Sequence, residues 1–138
     1  MSKNHYNYII CGGGASGLLL AFRMCNDPYF DDRSILLIEK DTKDTNDRTW
    51  CFWESGDGDL EAMVHKTWNQ AYFSTDDFEM DFSLQPFRYK MIRSLDFYQS
   101  MKNKLAEFDQ LTQIKATVDS IQENLVTTSV QSLSLIHI

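Results

Sequence analysis

The sequence has few of the features that mark membrane, secreted or metal-binding proteins. Its longest apolar runs fall far short of the roughly 20 residues that span a bilayer, and residues 1–5 lack the apolar stretch of a secretory signal. The three cysteines show no CxxC spacing and the three histidines are scattered, so we expect no metal site. Cys11 ends an apparent strand and is expected to be a small core residue. These absences favour an intracellular, reducing location, the cytoplasm.

Basic residues are also scarce. Lys and Arg number 13 against 20 Asp and Glu, which gives a formal net charge of −7. No basic patch interleaved with aromatic residues is present, so nucleic acid is not an expected partner. A length of 138 residues with 43% hydrophobic content supports one domain with a sizeable core.

A dinucleotide-binding pattern is present near the N-terminus. Residues 6–11 are rich in β-branched and aromatic residues and predict a buried strand, residues 18–24 predict a helix, and residues 34–39 predict a second strand. Between the first strand and the helix, Gly12, Gly14 and Gly17 satisfy G-x-G-x-x-G. A lone motif of this kind also occurs as a glycine-rich turn in other α/β proteins, but here its whole structural context is present.

Each part of this pattern has a physical role in binding a dinucleotide. Gly12 permits the tight turn, Gly14 lets the backbone approach a pyrophosphate, and Gly17 lets the helix pack closely on the sheet. The N-terminus of the helix offers free N–H groups to the phosphates. Glu39 follows Gly17 by 22 residues, where its carboxylate can accept hydrogen bonds from ribose hydroxyls. An acid there argues against NADP at this site.

A tryptophan-rich segment, Asn-Asp-Arg-Thr-Trp-Cys-Phe-Trp-Glu at residues 46–54, follows the second strand. It holds two of the chain's three tryptophans and follows neither a period of 3.6 nor clean alternation, so we assign it to no helix or strand. Flat aromatic walls beside a few charges are typical of a binding segment. Its hypothetical binding residues are Arg48, Trp50 and Trp53.

The remaining chain predicts strands, a connection and one helix. Residues 68–73 and 78–84 predict two strands around a turn, residues 85–93 a partly extended connection, and residues 95–108 a helix with Ser94 as its N-cap. Residues 114–121 predict a strand, and residues 125–130 can pair back on it. The apolar residues 132–138 resemble translated sequencing-adapter nucleotides and are excluded from the predicted fold as a non-native tail; the alternative is a genuine apolar tail.

The glycine motif with Glu39, the segment at 46–54 and a further match at 89–98 resemble the start of a bacterial lycopene β-cyclase. The resemblance implies an α/β fold: an incomplete Rossmann-like FAD-binding domain at 1–131, with an inserted β-hairpin segment and the start of a β-rich substrate region. Lycopene cyclases are longer, so the chain is expected to be an N-terminal fragment that is inactive alone.

The activity implied by the resemblance is ring closure at the ends of a linear carotenoid. A carboxylic acid protonates the end-group alkene, the cation closes on a neighbouring double bond, and loss of a proton leaves a β-ionone ring. Reduced FAD is required, with NAD(P)H as the electron donor and no net redox turnover. The substrate is dissolved in membranes, so peripheral membrane association is expected.

The same resemblance leaves several residue roles open. Arg48 can pair with flavin phosphates or with Asp47, and Trp50 and Trp53 can line a pocket or pack in the core. Glu54 beside indoles is a candidate proton donor, although the resemblance places the acid in a later carboxylate-rich segment. Arg93 can face the flavin or solvent. Another FAD or NAD oxidoreductase, or a non-catalytic nucleotide-binding fragment, remains an alternative function.

Overall fold

A computed structural model of the chain describes residues 5–135. Residues that contact one another fall into two compact units, one formed by residues up to Lys43 together with those from Met101 onward, the other by Asp44–Ser100. The second unit is therefore an insertion in the sequence of the first. It is larger than the hairpin that the sequence indicated.

The first unit contains a three-stranded parallel sheet. Strand β2 (Tyr8–Cys11) pairs with β3 (Ile35–Glu39), which pairs in turn with β9 (Leu111–Lys115). Helix α1 (Ala15–Cys25) connects β2 to β3 and buries Leu18, Ala21, Met24 and Cys25. Because β3 is the central strand, its four apolar residues are all buried, as their uninterrupted run predicts. The strand–helix–strand unit predicted from the sequence is confirmed.

A second sheet in this unit consists of β1 (His5–Tyr6), β10 (Val118–Gln122), β11 (Leu125–Thr128) and β12 (Ser132–Leu135). Their order across the sheet is β1-β12-β11-β10. Side chains from both sheets form one apolar core: Tyr6, Leu36, Ile38, Ala116, Val126 and Leu133. The hairpin predicted from residue 114 onward is present as β10 and β11.

Two predicted strands are interrupted where the chain passes from one sheet to the other. The strand predicted at 6–11 breaks at Asn7, whose side chain accepts a hydrogen bond of 2.8 Å from the Ser34 N–H. The strand predicted at 114–121 breaks at Ala116 and Thr117. The Ala116 N–H donates to the Glu39 carbonyl at 3.0 Å. The prediction of one continuous strand in each of these two segments was wrong, because the local pattern of apolar residues does not reveal where a chain passes from one sheet to another.

Residues 132–135 belong to the fold, although the sequence analysis excluded them from it. They form β12, which lies between β1 and β11, and Leu133 is completely buried in the shared core. The exclusion was wrong because the segment has pairing partners on both sides, which its sequence alone does not reveal. Residues 136–138 lie outside the described residues, and the non-native origin of the tail stays a prediction.

The second unit holds a three-stranded antiparallel sheet and a separate hairpin. The sheet has the order β4-β8-β5, formed by β4 (Thr49–Glu54), β8 (Arg88–Arg93) and β5 (Lys66–Trp68). The hairpin pairs β6 (Gln70–Ser74) with β7 (Glu79–Ser83), as expected within two residues. Helix α2 (Ser94–Leu105) begins directly after β8 and ends three residues earlier than predicted.

The tryptophan-rich segment contains a strand, β4, contrary to expectation, whereas the partly extended connection predicted at 85–93 contains β8. Residues of β4 alternate between exposed and half-buried, and β8 is the central strand of the sheet. On β8 the buried positions are Lys90 and Ile92. Alternation in β4 was missed because Cys51 and Trp53 are exposed while Glu54 is half-buried. On β8 it was hidden because Lys90 is buried, although lysine is usually a surface residue.

Candidate functional site

The glycine-rich turn joins β2 to α1. Gly12 has φ of +111°, a conformation that favours glycine, and its N–H donates to the Ile38 carbonyl at 2.8 Å. A Cβ placed on Gly17 would lie 1.9 Å from the Gly12 carbonyl oxygen, so the first turn of the helix closes directly on the loop. A Cβ on Gly14 would meet no atom within 4 Å. The turn is therefore tightly packed between Gly12 and Gly17 and open to solvent or a ligand at Gly14.

The N-terminus of α1 is free to take an anion. Gly14 is its N-cap residue and provides no side-chain hydrogen bond, and the first turn contains no acidic residue. Free N–H groups and the positive end of the helix dipole are the usual partners of phosphate. Together with the open side of Gly14, this geometry fits the pyrophosphate of a dinucleotide.

Glu39 lies at the end of β3 and closes onto the glycine turn. Its carboxylate accepts hydrogen bonds from the N–H groups of Gly13 at 2.6 Å and Asp41 at 2.9 Å. Partial burial raises the pKa of Glu39, but these hydrogen bonds and the nearby Lys43 outweigh it and hold the pKa below its ordinary value. A carboxylate has about four lone-pair directions, so the ionised Glu39 retains capacity for ribose hydroxyls.

Gly13 is a residue of this turn that the motif did not single out. A Cβ at this position would lie 2.8 Å from the Cβ of Glu39. The motif counts position 13 as variable, but the approach of Glu39 requires a glycine there. The run of three consecutive glycines was the only signal in the sequence.

An open cleft of about 410 Å³ lies beside Glu39. Cys11, Gly12 and Ile38 form one part of its lining, and residues 116–118, which join β9 to the start of β10, form another. Its position next to the proposed ribose partner fits an adenosine moiety. Cys11 is exposed here rather than part of the core, because the last residue of β2 lies at the edge of the sheet where the cleft opens. Residues 116–118 were missed because no motif marks the break between two strands.

The two tryptophans of β4 lie in different environments within the second unit. Trp50 is half-buried, with its ring edge-on to Phe97 at 5.3 Å and Tyr98 at 5.9 Å. Trp53 is 58% exposed, and its ring centre lies 4.8 Å from that of Tyr89 at an interplanar angle of 42°. Trp68 lies on the other side of Tyr89, at 5.8 Å and 39°. We call Trp53, Tyr89 and Trp68 the aromatic row. Packing explains Trp50, whereas the aromatic row is an apolar surface open to a ligand.

Glu54 is an ion-pair partner. Its carboxylate accepts a hydrogen bond of 2.8 Å from the Nζ of Lys90, which also donates to the Gly56 carbonyl at 2.7 Å and to Glu61. Burial lowers the pKa of Lys90, but the two carboxylates outweigh it and raise the pKa above its ordinary value. The Glu54 carboxylate is thus the partner of a buried ammonium, and its role as a proton donor stays a prediction.

The two arginines differ in their interactions. Arg93 makes a two-point contact with Asp96, at 2.8 and 3.2 Å, and its side chain is partly exposed. Arg48 is exposed, and its backbone N–H donates to the buried Ser94 hydroxyl at 2.9 Å. That hydroxyl donates in turn to Asp47 at 2.9 Å. Ser94 thus fastens the start of the tryptophan-rich segment to the start of α2, and a flavin contact of either arginine stays a prediction.

Other expected properties can be compared with the described part of the chain. Within residues 5–135 no helix has the length and apolar character needed to cross a membrane. The same residues contain no group of three or more His, Cys, Asp or Glu side chains placed to hold a metal ion. The expectation that no metal is required stays a prediction.

Comparison with known proteins is consistent with this geometry. Residues 7–134 match the model of the family described as lycopene cyclase protein. No curated protein matches the sequence.

Several solved structures share the fold. PqsL, a probable FAD-dependent monooxygenase from Pseudomonas aeruginosa, aligns with a TM-score of 0.72 at 12% identity, over 96% of this chain and 41% of its own. The 2-methyl-3-hydroxypyridine-5-carboxylic acid oxygenase gives 0.68 at 11% identity, over 97% and 38%. The flavin-dependent brominase Bmp2 gives 0.59 at 19%, over 95% and 36%. The chain therefore spans about two fifths of the length of these structures, and the predicted Rossmann-like FAD-binding fold is confirmed.

Proposed function

Because this chain belongs to the lycopene cyclase family, we propose that it supplies the FAD-binding turn and part of the substrate surface of a lycopene β-cyclase. The observation that carries the proposal is the glycine turn closed by Glu39 beside an open cleft, in a chain of this family. The reaction would be the acid–base cyclisation of the ends of a linear carotenoid, without net oxidation.

FAD is the proposed cofactor. The N-terminus of α1 and the open side of Gly14 would take its pyrophosphate, and Glu39 would take its adenosine ribose. Arg48 remains a proposed partner for the flavin phosphates. Bound FAD would act in its reduced form, with NAD(P)H as the donor that reduces it.

The aromatic row is the proposed contact surface for the polyene. Three neighbouring rings, with interplanar angles of 42° and 39°, offer an apolar surface. Their π faces can stabilise a carbocation without reacting with it. At one end, the Lys66 ammonium lies 5.1 Å from the ring centre of Trp68. We therefore assign the carbocation end of the substrate to Trp53 and Tyr89. Because the proposed substrate is dissolved in the bilayer, we propose that the protein is cytoplasmic and associates peripherally with the membrane.

The catalytic acid is not assigned to Glu54, because Lys90 already holds that carboxylate. The likeness to lycopene cyclases instead points to a later carboxylate-rich segment. Trp50 is proposed as a packing residue behind β4 rather than as a substrate contact.

Titration of the purified chain with FAD and with ADP tests the cofactor part. Gly14→Val would place a branched side chain where the pyrophosphate must approach, without meeting protein atoms nearby at its Cβ. We expect the wild-type chain to bind both ligands and the variant to bind neither. Equal FAD binding by a folded Gly14→Val variant would contradict the assignment.

Product analysis tests the reaction. An intact protein containing this chain, supplied with lycopene and a reductant, should form ringed carotenoid while consuming no stoichiometric reductant. The second candidate is an oxidation by a flavin enzyme, favoured by structural neighbours that include FAD-dependent monooxygenases. Oxygenated product with one reductant consumed per turnover would establish that alternative.

A third outcome concerns the titration with FAD and ADP. If neither ligand binds, a cofactor role of the isolated chain is excluded.

A further inference from the structure

A cluster of ionised side chains lies behind the aromatic row. Lys90 is completely buried and contacts Glu54, Glu61 and the Gly56 carbonyl. We call Lys90, Glu54 and Glu61 the ion cluster. The proposed reaction gives none of the three a chemical role.

Two members of the ion cluster, Glu54 and Lys90, occupy strand positions next to those of the aromatic row and lie on the opposite face of the sheet. Glu54 follows Trp53 on β4, and Lys90 follows Tyr89 on β8. Trp53 pairs directly with Tyr89 in the antiparallel register, and Trp68 of β5 pairs with Tyr89 from the other side. Because successive side chains of a strand point to opposite faces, any shift of β4 along β8 alters both features together.

The loop between β4 and the short helical turn Glu61–Met63 is held by side chains of β8. Lys90 donates to the Gly56 carbonyl, and Arg88 contacts Asp57 at 2.5 Å. A Cβ on Gly58 would lie 1.9 Å from a carboxylate oxygen of Glu54. Backbone and side chains thus converge on one cation, which leaves little freedom for another arrangement.

Buried ion pairs contribute little to net stability, since desolvation offsets most of their attraction. In some proteins buried polar or ionic groups instead specify register or pairing. A one-residue slip of β8 would move Lys90 to the open face and Tyr89 to the buried face. Such a slip would separate the ammonium from both carboxylates, so the contacts of the ion cluster are compatible only with the register in which Trp53 pairs with Tyr89.

We propose that Lys90 is a positioning residue, which with Glu54 and Glu61 fixes the pairing of β4 with β8 and thereby the alignment of the aromatic row. The inference rests on the proposed function only in that the aligned row is the surface offered to the polyene. The alignment itself can be measured without substrate.

The decisive variant of the full chain removes all three charges at once: Lys90→Met with Glu54→Gln and Glu61→Gln. Lys90→Met alone leaves two carboxylates without their buried cation and is expected to lower the melting temperature more than the triple change does. In the triple variant we expect cooperative unfolding to persist, while the inter-ring NOEs between Trp53 and Tyr89 are lost and the near-ultraviolet circular dichroism weakens.

The matched control removes an ion pair on the other end of β8. Arg93→Gln with Asp96→Asn deletes a partly exposed pair and should leave the Trp53–Tyr89 NOEs unchanged. A triple variant that retains these NOEs would overturn the proposal. A triple variant that does not fold would also overturn it, because the cluster would then be required for the fold rather than for alignment.

Binding of detergent-solubilised lycopene, followed by its absorbance, separates this inference from the proposed function. If the NOEs depend on the ion cluster but the wild-type chain shifts no lycopene absorbance, the polyene surface is wrong and the positioning role stands. If the wild-type chain binds lycopene and the triple variant binds equally well with its NOEs intact, the positioning role is wrong.

Discussion

Strand β3 and the β6–β7 hairpin are both rich in large apolar residues, yet they lie in opposite environments. The four apolar residues Ile35, Leu36, Leu37 and Ile38 of β3 are at most 2% exposed. In the hairpin, Phe73 and Met80 are 52% and 45% exposed. The register places them with Ala71 and Phe82 on one face.

This difference follows from the pattern of the two sequences. An uninterrupted apolar run suits a central parallel strand that is covered on both faces. Alternation of apolar with polar residues suits a strand with one covered face, and a hairpin of two strands is only marginally stable by itself. Stability of the described chain therefore depends on β3 and its neighbours much more than on the hairpin.

The most direct way to break the comparison is to remove apolar volume from each region. Leu36→Ala should destabilise the chain by about 2–5 kcal/mol, because it opens a cavity in a completely buried site. Phe73→Ala should cost less than about 1 kcal/mol, because an exposed side chain loses little buried area. Chemical denaturation of both variants measures the difference. Similar losses would show that the hairpin is as well packed as β3.

A second test adds volume to the turn that follows β2. Gly17→Ala places a Cβ 1.9 Å from the Gly12 carbonyl oxygen, which is backbone and cannot move aside cheaply. We expect a loss of about 3 kcal/mol, the upper part of the usual range for overpacking. The matched control is Gly14→Ala, whose Cβ meets no atom within 4 Å. Equal unfolding midpoints of the two variants would contradict the tight turn.

A third comparison concerns hydroxyl groups within the second unit. Ser94 is completely buried and its hydroxyl serves both Arg48 and Asp47. Ser94→Ala should cost about 1–2 kcal/mol through the lost hydrogen bonds. In the hairpin, the exposed Ser74 reaches only the Thr75 carbonyl at 3.5 Å, so Ser74→Ala should change stability by less than about 0.5 kcal/mol. Thermal unfolding should therefore show a larger loss of stability for Ser94→Ala than for Ser74→Ala. An equal or larger loss for Ser74→Ala would contradict this expectation.

The same contrast explains which parts of the molecule could be predicted. The strand–turn–helix–strand unit follows from local signals: a β-branched run, a glycine motif and a helix bounded by Asn26 and Pro28. The hairpin at 70–83 follows from alternation. Both are encoded by residues that are near one another in the chain.

Features that depend on distant residues could not be predicted. The inward position of Lys90 requires partners 29 and 36 residues away. The role of Gly13 requires the approach of Glu39, and the exchange of sheets at Asn7 requires Ser34. The candidate site was therefore predictable at its glycines and Glu39. Its cleft was not, and of the aromatic row only Trp53 was singled out, because the cleft and the row form only when separate strands pair.

The smallest expected effect concerns the charge of Glu39, in the region where the strong turn meets β3. Its pKa is below the ordinary value in the folded chain, so the folded state binds fewer protons than the unfolded state near that pH. The contribution to stability is fully present above the unfolded pKa of about 4.3. It is lost as the pH falls through the lower pKa of the folded state.

Denaturation at several pH values between 6 and 3 should show the wild-type chain losing stability relative to Glu39→Gln as the solution becomes acidic. Parallel curves for the two proteins would mean that the N–H groups of Gly13 and Asp41 do not favour the ionised carboxylate, and Glu39 would then lose its place in the candidate cofactor site.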